Sequence, residues 1–175
     1  VHVHSGLYTE NVLVNKEITI IGAGKLNNPG SNTILNAPTS CTGVGLNINS
    51  NNVTLKNMLV SNFQDAVLLN GVSNSGFDNM AMVDYCRYGI SQGGNNSNIN
   101  ILNSDIQRTT VLPNTVGIRA GTANAVNGMT IDGSTITGNI QGIAVFQSSS
   151  PVAYDNILIK NSTISNNTQK GMYFE

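Results

Sequence analysis

The sequence predicts an all-β solenoid, a single-stranded parallel β-helix with three short strands per turn and about six turns. Three observations predict it: an internal repeat, a period-2 apolar pattern within each repeat, and Asn, Gly and Ser at the joints. The repeat is carried by Val53-Thr-Leu55-Lys-Asn57-Met58-Leu-Val60, Phe77-Asp-Asn79-Met80-Ala-Met82, Ile99-Asn-Ile101-Leu-Asn103-Ser104-Asp-Ile106, Met129-Thr-Ile131-Asp-Gly133-Ser134-Thr-Ile136 and Ile157-Leu-Ile159-Lys-Asn161-Ser162-Thr-Ile164. Each reads apolar-x-apolar-x-Asn/Gly-x-x-apolar, with a one-residue slip assigned to the second. Measured on the Asn or Gly, the period is 22, 24, 30 and 28 residues.

Each element follows from this pattern in chain order. Residues 1 to 21 alternate apolar and polar from Val1 and Val3 to Ile18 and Ile20, as half-buried strands do. Gly45-Leu46-Asn-Ile48 opens a second signature, repeated at Ala66-Val67-Leu68-Leu69, Gly89-Ile90, Gly117-Ile118, Gly142-Ile143-Ala-Val145 and Gly171-Met172-Tyr-Phe174. Every unit is therefore three short period-2 strands separated by turns. No window carries a 3.6-residue period, and Leu-x-x-Leu-x-Leu is absent, which sets aside leucine-rich repeats. A unit of this kind cannot bury its apolar face alone, and stacking copies buries a continuous core. The longer periods are loop insertions, Thr109 to Thr115 and Gly121 to Asn127.

The expected inward residues are Val53, Leu55, Val60, Val67, Leu69, Ile90, Ile99, Ile101, Ile106, Ile118, Ile131, Ile136, Ile143, Val145, Ile157, Ile159 and Ile164. Asn57, Asn79, Asn103 and Asn161 fall at one turn of successive units. Their stacked amides are expected to bond one another as an Asn ladder, interrupted at Gly133. The chain holds 28 Asn, and turns account for many of them.

Composition excludes several functions. Charged residues are 10% of the chain and the net charge is -1, so no field exists to hold nucleic acid. No apolar run of about 18 residues marks a membrane span. Low charge and abundant Asn, Ser and Thr suit an extracellular or cell-surface protein, with the periplasm as the alternative. The whole of 1–175 reads as one domain, a segment of a longer protein whose open ends are covered by neighbouring rungs or partner chains. Cys41 and Cys86 are placed about two rungs apart, or ~10 Å at the ordinary strand spacing. That exceeds disulfide reach, so two free thiols are expected.

The units resemble the right-handed parallel β-helix repeats of the pectin-lyase-like superfamily. The stretch Gly6-Leu-Tyr8-Thr-Glu10, followed by Val12, Val14, Lys16 and Ile18-Thr-Ile20-Ile-Gly22, is similar to the first rungs of many members, with Ser5 where Pro is usual. The resemblance implies a right-handed coil and leaves function open, since members include lyases, hydrolases, esterases, adhesins and tailspikes. Signatures of the polygalacturonases, pectate lyases and pectin esterases are absent apart from the dipeptide Gln64-Asp65.

Two functions remain. The first is a non-catalytic stalk or binding segment contacting glycans or another protein. The second is a polysaccharide lyase or glycoside hydrolase. Its candidate residues are Asp65 and Asp84 as acid and base, with Arg87 and Arg108 beside them, all expected at the turn entering the Gly-Ile strand. The competing reading is two ion pairs between rungs, Asp65 with Arg87 and Asp84 with Arg108. Phe63 and Tyr85 are expected to stack as a surface platform beside this patch. The resemblance places a groove along the Gly-Ile strand. Its outward residues would be Asn47, Leu68, Ser91, Arg119, Ala144 and Tyr173, which suits shallow binding of a polysaccharide or surface protein better than hydrolysis. No cofactor is implied, with Ca²⁺ entering only under the enzymatic reading. His2 and His4 share one strand face but lack a third ligand, so no metal site is assigned.

Overall fold

A computed structural model describes residues 1–120, 125–145 and 154–174. The described chain contains no helix. It winds as a right-handed parallel β-solenoid of about six turns, with three strands in each. The first sheet stacks β1 (Gly6–Thr9), β4 (Thr33–Asn36), β7 (Leu59–Ser61), β10 (Ala81–Val83), β13 (Asp105–Gln107), β16 (Thr135–Thr137) and β19 (Thr163–Ser165). The second stacks β2 (Val12–Val14), β5 (Val44–Ile48), β8 (Asp65–Leu69), β11 (Tyr88–Gln92), β14 (Val116–Ala120), β17 (Gln141–Val145) and β20 (Lys170–Phe174). The third stacks β3 (Thr19–Ile21), β6 (Thr54–Lys56), β9 (Gly76–Asp78), β12 (Asn96–Leu102), β15 (Val126–Asp132) and β18 (Tyr154–Lys160).

The register explains the repeat. Leu55, Phe77, Ile101, Ile131 and Ile159 lie directly above one another in the third sheet. Because Phe77 pairs with Leu55, the slip assigned to the second unit does not exist. Ser75 instead takes the place of Val53, and its hydroxyl accepts the Val53 N–H at 3.2 Å. The expected inward residues from Val53 to Val145 are all buried, whereas Ile157, Ile159 and Ile164 are only partly so. These three line the last described turn, whose outer face no other described turn covers. At roughly 1.5–3 kcal/mol for each fully buried aliphatic side chain, the stacked columns supply most of the driving force.

Backbone geometry, more than amide stacking, accounts for the Asn at the corners of the coil. Cys41 and Asp84 are the sole non-Asn members of the non-glycine positive-φ set among the described residues. Asn tolerates the left-handed region better than other side chains do. Apart from Cys41 and Asn114 these residues fall, together with the left-handed Gly128, Gly133 and Gly138, in three columns, one at each corner of the coil: 52/74/98/128/156, 57/79/103/133/161 and 62/84/138/166, the last passing through Arg108, which is not left-handed. The expected Asn ladder is reduced to one bond, Asn79 Nδ2 donating to Asn57 Oδ1 at 2.8 Å. The Asn103 amide turns to Asp78 (3.1 Å) and that of Asn161 to Asp132 (2.9 Å). A carboxylate one residue earlier on the rung below is the stronger acceptor.

A serine column beside it does carry bonds along the axis. The N–H groups of Met80, Ser104 and Ser134 donate to Ser104, Ser134 and Ser162 Oγ at 3.1–3.2 Å.

Glycine in the Gly-Ile signature is required by packing. A Cβ at Gly117 would stand 2.6 Å from the Gly142 carbonyl oxygen and 2.6 Å from Ile136 Cγ2.

The two cysteines are joined. Cys41 and Cys86 form a disulfide with Cα atoms 5.2 Å apart, contrary to the expected free thiols. The strands that flank them are two rungs apart, as the spacing argument has it. Cys41, however, sits on the long connection 37–43 between β4 and β5. That loop climbs one rung, and the Cys41 N–H donates to the Asn62 carbonyl at 2.7 Å. The Cys86 N–H donates to the Phe63 carbonyl at 2.9 Å, so both cysteines meet over the same turn.

Candidate functional site

The sequence-derived patch lies where the first sheet turns into the second. Asn62, Asp84 and Arg108 share one column there, since the N–H of each bonds to the next rung at equivalent positions. The four charged candidates do not form one cluster. Asp65, at the start of β8, is almost fully buried and receives a bidentate contact from Arg87: Nε to Oδ1 at 2.8 Å and Nη2 to Oδ2 at 2.6 Å. Ser91 Oγ adds a donor to Asp65 Oδ2 at 3.3 Å. The Asp65 contact holds the Arg87 guanidinium above its ordinary pKa, against the opposing effect of burial.

The second expected ion pair does not form. Asp84 Oδ1 accepts from the Thr109 backbone N–H (2.8 Å) and hydroxyl (2.9 Å). Arg108 turns its Nε to the Thr110 carbonyl at 2.9 Å, over the Tyr85 ring. The insertion after Arg108 brings backbone donors over Asp84 and folds the arginine beneath the loop. Arg108 is buried, its Nη1 is without a hydrogen-bond partner, and burial lowers its pKa. Both carboxylates therefore hold the coil together, one as a rung-to-rung ion pair and one as a loop anchor.

Phe63 and Tyr85 form no surface platform; both are fully buried. Each follows a left-handed residue, Asn62 or Asp84, whose backbone sends the next side chain into the coil. Burial raises the Tyr85 pKa far above its usual value, and its hydroxyl bonds to Asn139, which in turn donates to Asn167.

The outward residues of the second sheet are largely covered. Ser91 and Ala144 are buried, while Asn47, Leu68, Arg119 and Tyr173 are half-buried. Among these, Arg119 lines an open groove of about 460 Å³ with Tyr88, Asn114, Thr115, Gln141 and Gln169. Arg87 and Arg119 both lie over the Tyr88 ring, at 4.7 and 4.9 Å from its centroid. Sequence reasoning found Arg119 and missed Tyr88, Gln141 and the insertion residues. Tyr88, Val116, Gln141 and Lys170 share one column just before the glycine. Simple alternation from the buried Ile90 would turn Tyr88 inward, yet Tyr88 is half-exposed and lines the groove.

His2 and His4 are exposed. No group of three or more His, Cys, Asp or Glu side chains converges among the described residues. No described helix is long and apolar enough to cross a membrane. Compared with known proteins, the chain matches no family model, no curated protein and no solved structure. The class that the fold defines is the parallel β-solenoid, established by this chain's own strand order and register.

Proposed function

We infer that this chain is a non-catalytic β-helical binding segment of the pectin-lyase-like type, part of a secreted or cell-surface protein. The observation that carries this reading is the state of the charged patch. Asp65 and Asp84, the best acid and base candidates, are both occupied by structural hydrogen bonds. Hydrolysis by paired carboxylates needs them flanking a scissile bond about 5–9.5 Å apart and open to substrate. The open feature is instead the groove at Tyr88, Arg119, Gln141 and Gln169. An aromatic ring, a cation and amides lining a shallow concavity suit hydroxyl-rich or acidic glycans. The disulfide favours an oxidising compartment, consistent with export.

Affinity electrophoresis against neutral and acidic polysaccharides tests the reading. Retardation by at least one polysaccharide is expected, and Tyr88→Ala should reduce it several-fold without changing the circular dichroism spectrum. Release of reducing ends or unsaturated uronates, lost in Asp84→Asn, would replace this reading with the enzymatic one.

A further inference from the structure

Arg108 is the one basic residue among those described that is more than nine-tenths buried, at 9% exposed. Its guanidinium is only partly served. Nε donates to the Thr110 carbonyl at 2.9 Å, Cζ lies 5.9 Å from the centroid of the Tyr85 ring, and Nη1, sealed from solvent, has no acceptor. Asp84 acts on it through space but turns Oδ1 to the N–H and hydroxyl of Thr109 instead. Buried polar groups are nearly always paired, and a buried charge with an open donor is costly. A ligand that completes the set is one explanation for such an exception. The surroundings favour an anion. All three arginines of the chain, Arg87, Arg108 and Arg119, lie at or just past the turn from the first sheet into the second. Each has its guanidinium over the ring of Tyr85 or Tyr88. The carboxylates bonded there are Asp65 and Asp84, so guanidinium outnumbers carboxylate.

The loop that follows Arg108 is held at its two ends. The Arg108 N–H donates to the Thr137 carbonyl at 3.1 Å, which fixes the backbone at the near end. Thr115, fully buried, fixes the far end: its carbonyl accepts from the N–H groups of Ile140 and Gln141, both at 3.1 Å. Between these anchors residues 111–114 make no backbone hydrogen bond to another turn, and Val111, Pro113 and Asn114 are exposed. What holds the segment down is the Asp84 carboxylate on Thr109 and the Thr110 carbonyl on Arg108. Lifting residues 109–114 therefore breaks side-chain contacts but no rung-to-rung backbone bond.

We propose that Arg108 is a concealed oxyanion site, opened when residues 109–114 lift and closed by the Asp84 latch on Thr109. A sulfate, phosphate or carboxylate group, free or carried on a polymer, then accepts from Nη1 in the end-on fork that a guanidinium presents. Opening costs the Asp84 bonds and gains a full set of partners for a charge that the closed state leaves short. The fraction of chains standing open sets the apparent affinity, so the latch tunes the site. This inference does not depend on what the groove at Tyr88 and Arg119 binds.

A sulfate titration of the ¹⁵N-labelled 175-residue chain, with ionic strength held constant by sodium chloride, tests it. The three arginine Nε–Hε signals report separately. A saturable shift, largest at Arg108, is expected with a Kd of about 1–10 mM. Arg108→Leu should weaken sulfate binding about tenfold or more, read on the amides of residues 109–114. It should melt no earlier than the parent, because an apolar side chain suits a site that leaves a charge short. Thr109→Val removes one Asp84 bond, so sulfate affinity should rise about threefold and exchange at 110–114 should quicken. If Arg108→Leu does not fold, Thr109→Val decides alone. Dextran sulfate bound more tightly than equimolar sulfate ion assigns the anion to a polymer, and equal affinity assigns it to the free ion. No saturable shift at Arg108, a shift confined to Arg87 and Arg119, or an affinity unchanged in both variants would overturn the proposal.

Discussion

Ile131 and Ile159 occupy the same position of the same repeat, one turn apart in the third sheet. Ile131 is completely buried, whereas Ile159 is only partly so. Gly117 and Gly171 make the same contrast. An added Cβ at Gly117 collides with backbone, while at Gly171 its nearest neighbour is Ile164 Cγ2 at 3.7 Å. The repeat therefore does not carry its own burial. The neighbouring turn confers it, so identical residues differ in energetic weight by their place along the axis.

The largest effect tests this directly. Ile131→Asp should unfold the coil, because a charge at a dry site without a partner is worth more than a marginal domain's stability. Ile159→Asp should fold and melt only moderately earlier. Equal losses in the two variants, read by denaturant unfolding, would show that the end turn is as well packed as the centre.

The disulfide comes next. It closes a separation of 45 residues that contains two turns of the coil and ties the loop 37–43 to the turn at Cys86. Chain-entropy arguments assign such a closure about 4 kcal/mol. Reduction, or Cys41→Ser with Cys86→Ser, should lower the denaturation free energy by a comparable amount. Hydrogen exchange should then quicken first in residues 1–50.

Gly117→Ala should cost about 1–3 kcal/mol through overpacking. Gly171→Ala should be neutral or stabilise by up to about 1 kcal/mol, because the unfolded chain loses freedom and nothing in the coil must move. Thermal melts of the pair give the contrast within a single residue type.

The smallest effect is acid dependence. The Asn103 amide and the Lys56 ammonium hold the Asp78 carboxyl below its ordinary pKa, and the Asn161 amide and Lys160 do the same for Asp132. A depressed folded-state value adds stability above the unfolded carboxylate range that is lost as pH falls through the folded one. The melting temperature should therefore drop modestly below about pH 4. Asp78→Asn should flatten part of that drop.

Much of this was legible in the chain, for reasons visible at particular residues. The columns at Ile101, Ile118 and Ile136 follow from alternation, which is local. The turn at Asn57, Asn79 and Asn103 follows from the Asn itself, although its purpose is the left-handed backbone more than amide stacking. Phe63 and Tyr85 were misread because a left-handed residue just before each reverses the expected face. The Asp84–Arg108 pair failed because the lengthened connection 108–115 brings the Thr109 N–H and hydroxyl onto Asp84. Tyr88 was missed because alternation from Ile90 assigns it to the inside, whereas its ring stays half-exposed beneath Arg87 and Arg119.

The sequence by itself determined the coil, its register and the inward columns, because each depends on a pattern a few residues long that every turn repeats. The tertiary structure alone decided the cysteine bridge, the partners of Asp65 and Asp84, and the groove at Tyr88 and Arg119. Those contacts join residues more than twenty positions apart, and their distances depend on how far each insertion loop travels along the axis. Loop length is written in the sequence, but its direction is chosen by packing against the next turn.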